Sequence, residues 1–343
     1  MLQLANTLYV MTQGSYLHLD SDTVRVEVER DTRLRVPLLQ LGGIVTFGNV
    51  LVSPALIGRC AEDGRAVTML DYNGRFLARM VGRTGGNVLL RRAQHEALSD
   101  PEASLTIARC VVAGKLQNSR QVLLRGAREV KDDILSDSLG AAARLLGESI
   151  SRARDATDAD VLRGIEGAAA RAYFEVFDSL IRVEREAFRM TERNRRPPLD
   201  RINALLSFCY ALLLTDCTTA LEGVGLDPQV GYLHTLRPGR PALALDLMEE
   251  LRPAVADRLA LSLINRRQLE PDDFEQRPGG AVSLTEKGRK TVVVAYQERK
   301  QEEVPHQFLG RKMPLGLVLH MQARLLARQL RGDLAGYPPY LIR

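Results

Sequence analysis

The feature that most constrains this chain is a change of hydrophobic period near Gly86. Before it, apolar residues fall in short alternating or β-branched runs at 7–11, 16–19, 24–28, 34–37 and 43–47. Turn-formers such as Gly14-Ser15 and Ser21-Asp22 separate them. A period of two marks strands with one buried face. A short helix is expected over 53–60. The runs 66–70 and 76–80 flank Asp71-Tyr72-Asn73-Gly74, a hairpin signal because Asn and Gly tolerate positive φ. After Gly86, spacings of three and four take over. They predict helices over 88–98, 102–124, 136–156, 158–183, 200–222 and 242–265, and a basic helix over 315–331. The expected fold class is α+β. A small N-terminal β-strand-rich domain, residues 1–90, precedes a larger all-α C-terminal domain, residues 91–343, with the break inside 82–104.

A chain of 343 residues can hold two ordinary cores. Trp is absent and aromatics are only 5%, so those cores must be built from Leu, Val, Ile and Ala. Cys60, Cys110, Cys209 and Cys217 form no CxxC pair. That argues against a zinc ribbon and makes them core filler in a reducing compartment. The opening residues lack a basic stretch and are interrupted by Gln13, Gly14 and His18, so no signal peptide is expected. The apolar run 204–214 contains Ser207, is closed by Asp216, and is too short to span a bilayer. The expectation is a cytoplasmic protein with no membrane part. The formal net charge of +5 and pI of about 9.1 permit a polyanionic partner without demanding one.

Three segments carry candidate chemistry. Glu166 shares a helical face with Leu162, Ala169 and Tyr173, among small residues Gly164, Gly167 and 168–170 that allow close approach. The bland alternative is a surface Glu on an Ala-rich helix. His234 follows a Gly-Leu-Asp-Pro turn at 225–228 in a short connection. It can ligate a transition metal or serve as an acid or base, although a lone His is more often structural. Asp246 and Glu249, three apart, open a helix after Pro241, where acids also suit the helix dipole. Glu250, four from Asp246, is also a geometric candidate, and periodicity alone does not choose between it and Glu249.

Together the three segments resemble one family. Glu in a small-residue helix is followed by Gly-Leu-Asp-Pro and Gly-Tyr-Leu-His at 225–234. Gly-Arg-Pro at 239–241 and Leu-Asp-Leu-Met-Glu at 245–249 complete the set. This ordered set is similar to the CRISPR-associated endonuclease/integrase that inserts new spacers. Residues 196–208 match that family's approach to its central helix, and the resemblance covers roughly 155–265. It implies that Glu166, His234 and Glu249 ligate Mg²⁺ or Mn²⁺, with Asp246 as a further acidic site residue. The C-terminal domain would then be the catalytic one. Relatives often have Asp at the third position, where this chain has Glu249. The implied reaction is attack by a 3′-hydroxyl on a repeat-boundary phosphodiester in DNA. The implied partners are DNA, a second copy of the chain paired through the strand-rich domain, and a smaller CRISPR adaptation protein.

No covalent protein intermediate is needed, and without a GxxxxGK[ST] loop no nucleotide cofactor is expected. Arg193, Arg195, Arg196, Arg237 and Arg240 are the phosphate-contact candidates, because Arg offers phosphate a bidentate fork. Lys287, Arg289, Lys290, Arg324, Arg328 and Arg331 are weaker ones. His18, His95, His306 and His320 read as structural or exposed. Two other functions compete. One is a metal-dependent nuclease of branched or single-stranded DNA using the same ligands. The other is a catalytically silent DNA-binding scaffold, which would show salt-sensitive binding without strand transfer.

Overall fold

The computed structural model describes residues 6–83, 87–194 and 197–342. The early strands form two four-stranded sheets. Strands β1 (Asn6–Val10), β5 (Leu41–Phe47), β7 (Ala66–Leu70) and β8 (Phe76–Met80) make one, in the order β1-β5-β7-β8. The first three are parallel, and β7–β8 is the antiparallel hairpin expected at Asn73-Gly74. Strands β2 (Tyr16–Asp20), β3 (Thr23–Val28), β4 (Asp31–Pro37) and β6 (Leu51–Val52) make the other, in the order β4-β3-β2-β6. Helix α1 (Pro54–Glu62) is capped by Ser53, whose hydroxyl accepts from the Leu56 N–H.

Leu17, Val24, Ile44, Leu56 and Val67 belong to one buried cluster of this region. β5 is apolar on both faces. Its Val45 and Phe47 belong instead to the large helical core, where Phe47 lies 5.8 Å from Phe208, ring to ring. That continuous run is what a parallel strand covered on both sides requires.

The helical part begins with α2 (Val88–Ser99) and the long α3 (Pro101–Glu129), which starts at Asp100 with Pro101 in the first turn. Then come α4 (Asp133–Arg154), α5 (Ala159–Glu175) and α6 (Arg201–Val224). Asp158 and Asp200 cap the last two, and Gly225 in the left-handed region (φ 87°) ends α6. α6 is longer than the apolar run suggested. It is long and apolar enough to cross a bilayer by length and composition, but 56% of that stretch is buried in the molecule, as in a central core helix.

Two expectations are corrected. The helix expected over 242–265 is α7 (Ala242–Leu251), a π-helical turn (Arg252–Asp257) and α8 (Arg258–Asn265). Pro253 removes an N–H from the ladder, so an uninterrupted α-helix is not available there. The C-terminal part is also not all-α. Hairpins β9 (Phe274–Gln276)–β10 (Val282–Leu284) and β11 (Glu303–His306)–β12 (Arg311–Pro314) flank α9 (Glu286–Gln301), and α10 (Leu315–Leu330) follows. Strands of three or four residues are too short to establish a period. Cys60, Cys209 and Cys217 are buried, and all four cysteines are free.

Candidate active site

α3, α5, α7 and the 226–240 connection meet at a cleft of about 780 Å³. The connection is held at both ends. Leu243 and Ala244, in the first turn of α7, donate to the Pro228 carbonyl, which satisfies N–H groups that no side chain caps. From α2, Gln94 donates to the Asp227 and Val230 carbonyls and accepts from the Asp227 N–H.

Asp246, 1% exposed, receives the backbone N–H groups of Tyr232, Leu233 and His234 at 2.6, 3.0 and 3.0 Å. Its Oδ1 also lies 2.7 Å from His234 Nδ1. A carboxylate oxygen accepts, so Nδ1 donates to it, and in the neutral ring Nε2 turns a lone pair to the cleft. Asp246 is therefore saturated by the loop it holds.

Glu249, three residues on along the same face of α7, reaches into the cleft. Its Oε1 is 3.6 Å from His234 Nε2 and 2.9 Å from Arg252 Nη1. Its Oε2 is 2.6 Å from Lys115 Nζ, a charge contact without hydrogen-bond geometry. The same ammonium donates to Glu166 on α5. Lys115 thus bridges the two carboxylates. Burial would raise the Glu249 carboxyl, but Arg252, Lys115 and His234 outweigh it and hold it at about 2. Burial would lower the Lys115 ammonium, but Glu249 and Glu166 outweigh that and raise it.

Glu166, His234 and Glu249 are therefore brought together, although they come from distant segments. Glu250 is not with them. It is fully buried on the far side of α7, accepting from Tyr337 Oη, Gln322 and the Tyr340 N–H. Arg193 and Arg240 line the cleft. Arg193 donates to Asn203 and lies over Tyr210. Arg237 is exposed and outside the cleft lining. Arg195 and Arg196 lie outside the described residues. Arg289 is corrected: it is buried and donates to the Leu284 carbonyl, while neighbouring Lys287 pairs with Asp273 at 3.0 Å. His306 is buried against Gln322, as a structural His should be.

Sequence reasoning missed Lys115, Arg252, Arg163, Arg171 and Tyr210, all in the cleft lining. Lys115 left one trace, a cation between Val111 and Ser119 on a face that is otherwise buried.

Residues 8–298 match the family model described as CRISPR associated protein Cas1. The CRISPR-associated endonuclease Cas1 1 of Moorella thermoacetica is 57% identical over 340 residues, covering 99% of both chains. That of Chlorobaculum tepidum is 50% identical over 338 residues, covering 98% of both. Among solved structures, a CAS1 protein from Thermotoga maritima superposes with a TM-score of 0.81 at 27% identity, over 95% of this chain and 97% of its own. A casposase bound to integration product shares the fold (TM-score 0.83, 24% identity, 97% and 93% covered). With the fold and the ordered segments, these likenesses have one reading: the chain belongs to the Cas1 family of CRISPR-associated proteins.

Proposed function

We propose that this chain is a metal-dependent DNA endonuclease and integrase that joins new spacer DNA to a CRISPR repeat. The observation that carries the proposal is the convergence of Glu166 and Glu249 on the Lys115 ammonium, with His234 Nε2 3.6 Å from Glu249 Oε1, in a cleft walled by Arg163, Arg171, Arg193 and Arg240. The name endonuclease borne by relatives at 57% and 50% identity supports it.

The residues fit a divalent ion. Two carboxylates and an imidazole nitrogen are a donor set that Mg²⁺ or Mn²⁺ accepts. In the neutral ring, a lone pair on Nε2 facing a carboxylate oxygen at 3.6 Å is an arrangement that a cation would relieve. Among the described residues no three acidic, His or Cys side chains close on a common ion as placed. The Lys115 ammonium lies between the two carboxylates, so an ion held by them would take its place. A bound ion would supply Lewis-acid stabilisation of charge building on the phosphoryl oxygens.

The chain's own residues do the rest. The arginines hold backbone phosphates and orient the scissile bond. Asp246 keeps His234 in the tautomer that presents Nε2. Lys115, if an ion took its place between the carboxylates, would be free to neutralise a phosphate oxygen. The 3′-hydroxyl of the incoming fragment forms the new P–O bond as the repeat-boundary P–O bond breaks. Water in its place gives hydrolysis. The proposed assembly is a homodimer through the strand-rich region, where edge strand β4 is exposed along nearly its whole length, joined by a smaller adaptation protein.

The test is strand transfer of a short duplex into a repeat-bearing supercoiled plasmid, with Mn²⁺ or Mg²⁺ and the smaller protein, comparing wild type with His234→Ala. Joining by wild type and none by a folded variant supports the reading. Equal joining by both sinks the site. Cleavage of branched DNA without joining moves the nuclease reading ahead.

A further inference from the structure

A second cavity, of about 170 Å³, lies between the C-terminal third of α3, the 3-10 turn Phe177–Leu180, α8 and the end of α9. Its lining shares no residue with the catalytic cleft. Five arginines face it, Arg125, Arg182, Arg258, Arg266 and Arg299, with Glu129 as the acidic member. Glu129 is already taken, by Arg125 at 2.7 Å and Arg182 at 3.0 Å. Arg299 reaches Glu302 at 2.5 Å with one terminal nitrogen and the Ala254 carbonyl at 3.3 Å with the other, yet its Nε is buried with no hydrogen-bond partner. Among the described residues, no carboxylate comes within ion-pair distance of Arg258 or Arg266.

Burial, then the repulsion of Arg299 and Arg125, pushes the Arg258 guanidinium down to about 10. Folded chains pair buried charge because leaving it unpaired is costly. Here the positive charge is concentrated and under-paired around an open space. Guanidinium forks suit the oxygens of phosphate, two at a time.

We propose that this cavity is a second anion site, in which Arg258, Arg266 and Arg299 grip a phosphate group apart from the catalytic cleft. The phosphate is either free or part of a nucleic-acid strand. Arg258 follows Asp257, which lines the catalytic cleft, so the two sites meet at the start of α8.

The test is thermal unfolding of the full chain titrated with inorganic phosphate. Wild type should be stabilised by phosphate, and Arg258→Gln should need about tenfold more for the same gain. Without phosphate, Arg258→Gln should melt no lower than wild type, because the repulsion is relieved. An Arg258 with a purely structural role would instead give a lower melting temperature and an unchanged phosphate midpoint, overturning the proposal. Arg266→Gln, at an exposed position, should also blunt the phosphate response without a folding defect. Fluorescence anisotropy with a short single-stranded oligonucleotide separates the sources. Several-fold weaker binding by both variants assigns the phosphate to a nucleic-acid strand. Unchanged oligonucleotide affinity with a lost phosphate response assigns it to free phosphate. A wild type that responds to neither ligand overturns the site.

Discussion

Glu249 and Glu250 are adjacent in the chain and face opposite surroundings. Glu249 is held charged at about 2, while burial pushes Glu250 up to about 7, with the Tyr337, Gln322 and Tyr340 donors offsetting part of the rise. One helical step of rotation separates the cleft from the core, and only the partners tell which is which. Sequence spacing left both open for that reason. Asp246 shows the same limit: its acidity was legible, but not its use as an acceptor for three consecutive N–H groups. Asp246→Ala should therefore destabilise the fold by on the order of 3 kcal/mol, because buried donors lose their acceptor. His234→Ala should stay within about 1 kcal/mol of wild type. Equilibrium denaturation of the two variants measures this, and equal costs would remove Asp246 from its holding role. Lys115→Met strips two carboxylates of their shared counter-ion. Without divalent ions it should melt below wild type, and Mn²⁺ should raise its melting temperature by more degrees than it raises wild type's. If Mn²⁺ shifts neither protein, the carboxylate pair is not a metal site.

At the scale of elements, the periods were readable and the interruptions were not. Asp100, Asp158 and Asp200 begin helices where their side chains accept N–H groups, a local signal. The hairpins β9–β10 and β11–β12 are too short to carry one, and Lys115 lies 51 residues from its partner Glu166. The joint between the 226–240 connection and α7 depends on Gly231. A Cβ there would lie 2.6 Å from the Ala242 carbonyl carbon and 2.7 Å from Asp246 Oδ2. Gly231→Ala should push the His234 loop off α7, costing on the order of 2 kcal/mol and most of the strand-transfer activity. Wild-type melting and activity in that variant would show that the loop has room to give.

Asp257 closes the π-helical turn and ties it to α5 and α6, accepting from Tyr173 Oη at 2.9 Å and Tyr210 Oη at 2.6 Å. Burial pushes its carboxyl up to about 6, only partly offset by those hydroxyls, Arg252 and Arg193. Between the ordinary carboxylate range and that value, the folded chain keeps a proton that the unfolded chain has released. Stability from this group is thus full at low pH, falls as pH rises through the window, and is level above it. Asp257→Asn has no such proton. The wild-type stability minus the variant's should fall by about 2 kcal/mol between about pH 4 and pH 7. Denaturation at both pH values checks it, and a constant difference would mean that Asp257 ionises normally.

At the scale of the whole molecule, the change of period near Gly86 separated a strand-rich part from a mostly helical one that still holds two short hairpins. It did not reveal that β5 feeds Val45 and Phe47 into the helical core. Nor did it reveal how the chain's closing segment is used. Residues 333–342 contain no helix or strand, so no periodicity announces them. Yet Tyr337 and Tyr340 are buried, and Tyr337 Oη donates to Glu250 at 2.7 Å. Asn118 on α3 binds the Tyr340 carbonyl and the Ile342 N–H while also holding the Glu250 carbonyl. The segment thus backs α7 from behind while Glu249 faces forward into the cleft. Ending the chain after Gly336 would expose two tyrosine pockets and leave Glu250, Gln322 and Asn118 with unmet hydrogen bonds. The expected loss is on the order of 5 kcal/mol. Tyr337→Phe removes one hydroxyl and should cost about 1–2 kcal/mol. Because Glu249 rides on the same helix, the truncated chain should also bind Mn²⁺ more weakly at a temperature where it is still folded, whereas Tyr337→Phe should keep most of that affinity. Calorimetric Mn²⁺ titration of both variants separates the two effects. A truncated chain with wild-type stability and wild-type Mn²⁺ affinity would mean that α7 holds its position without the segment behind it.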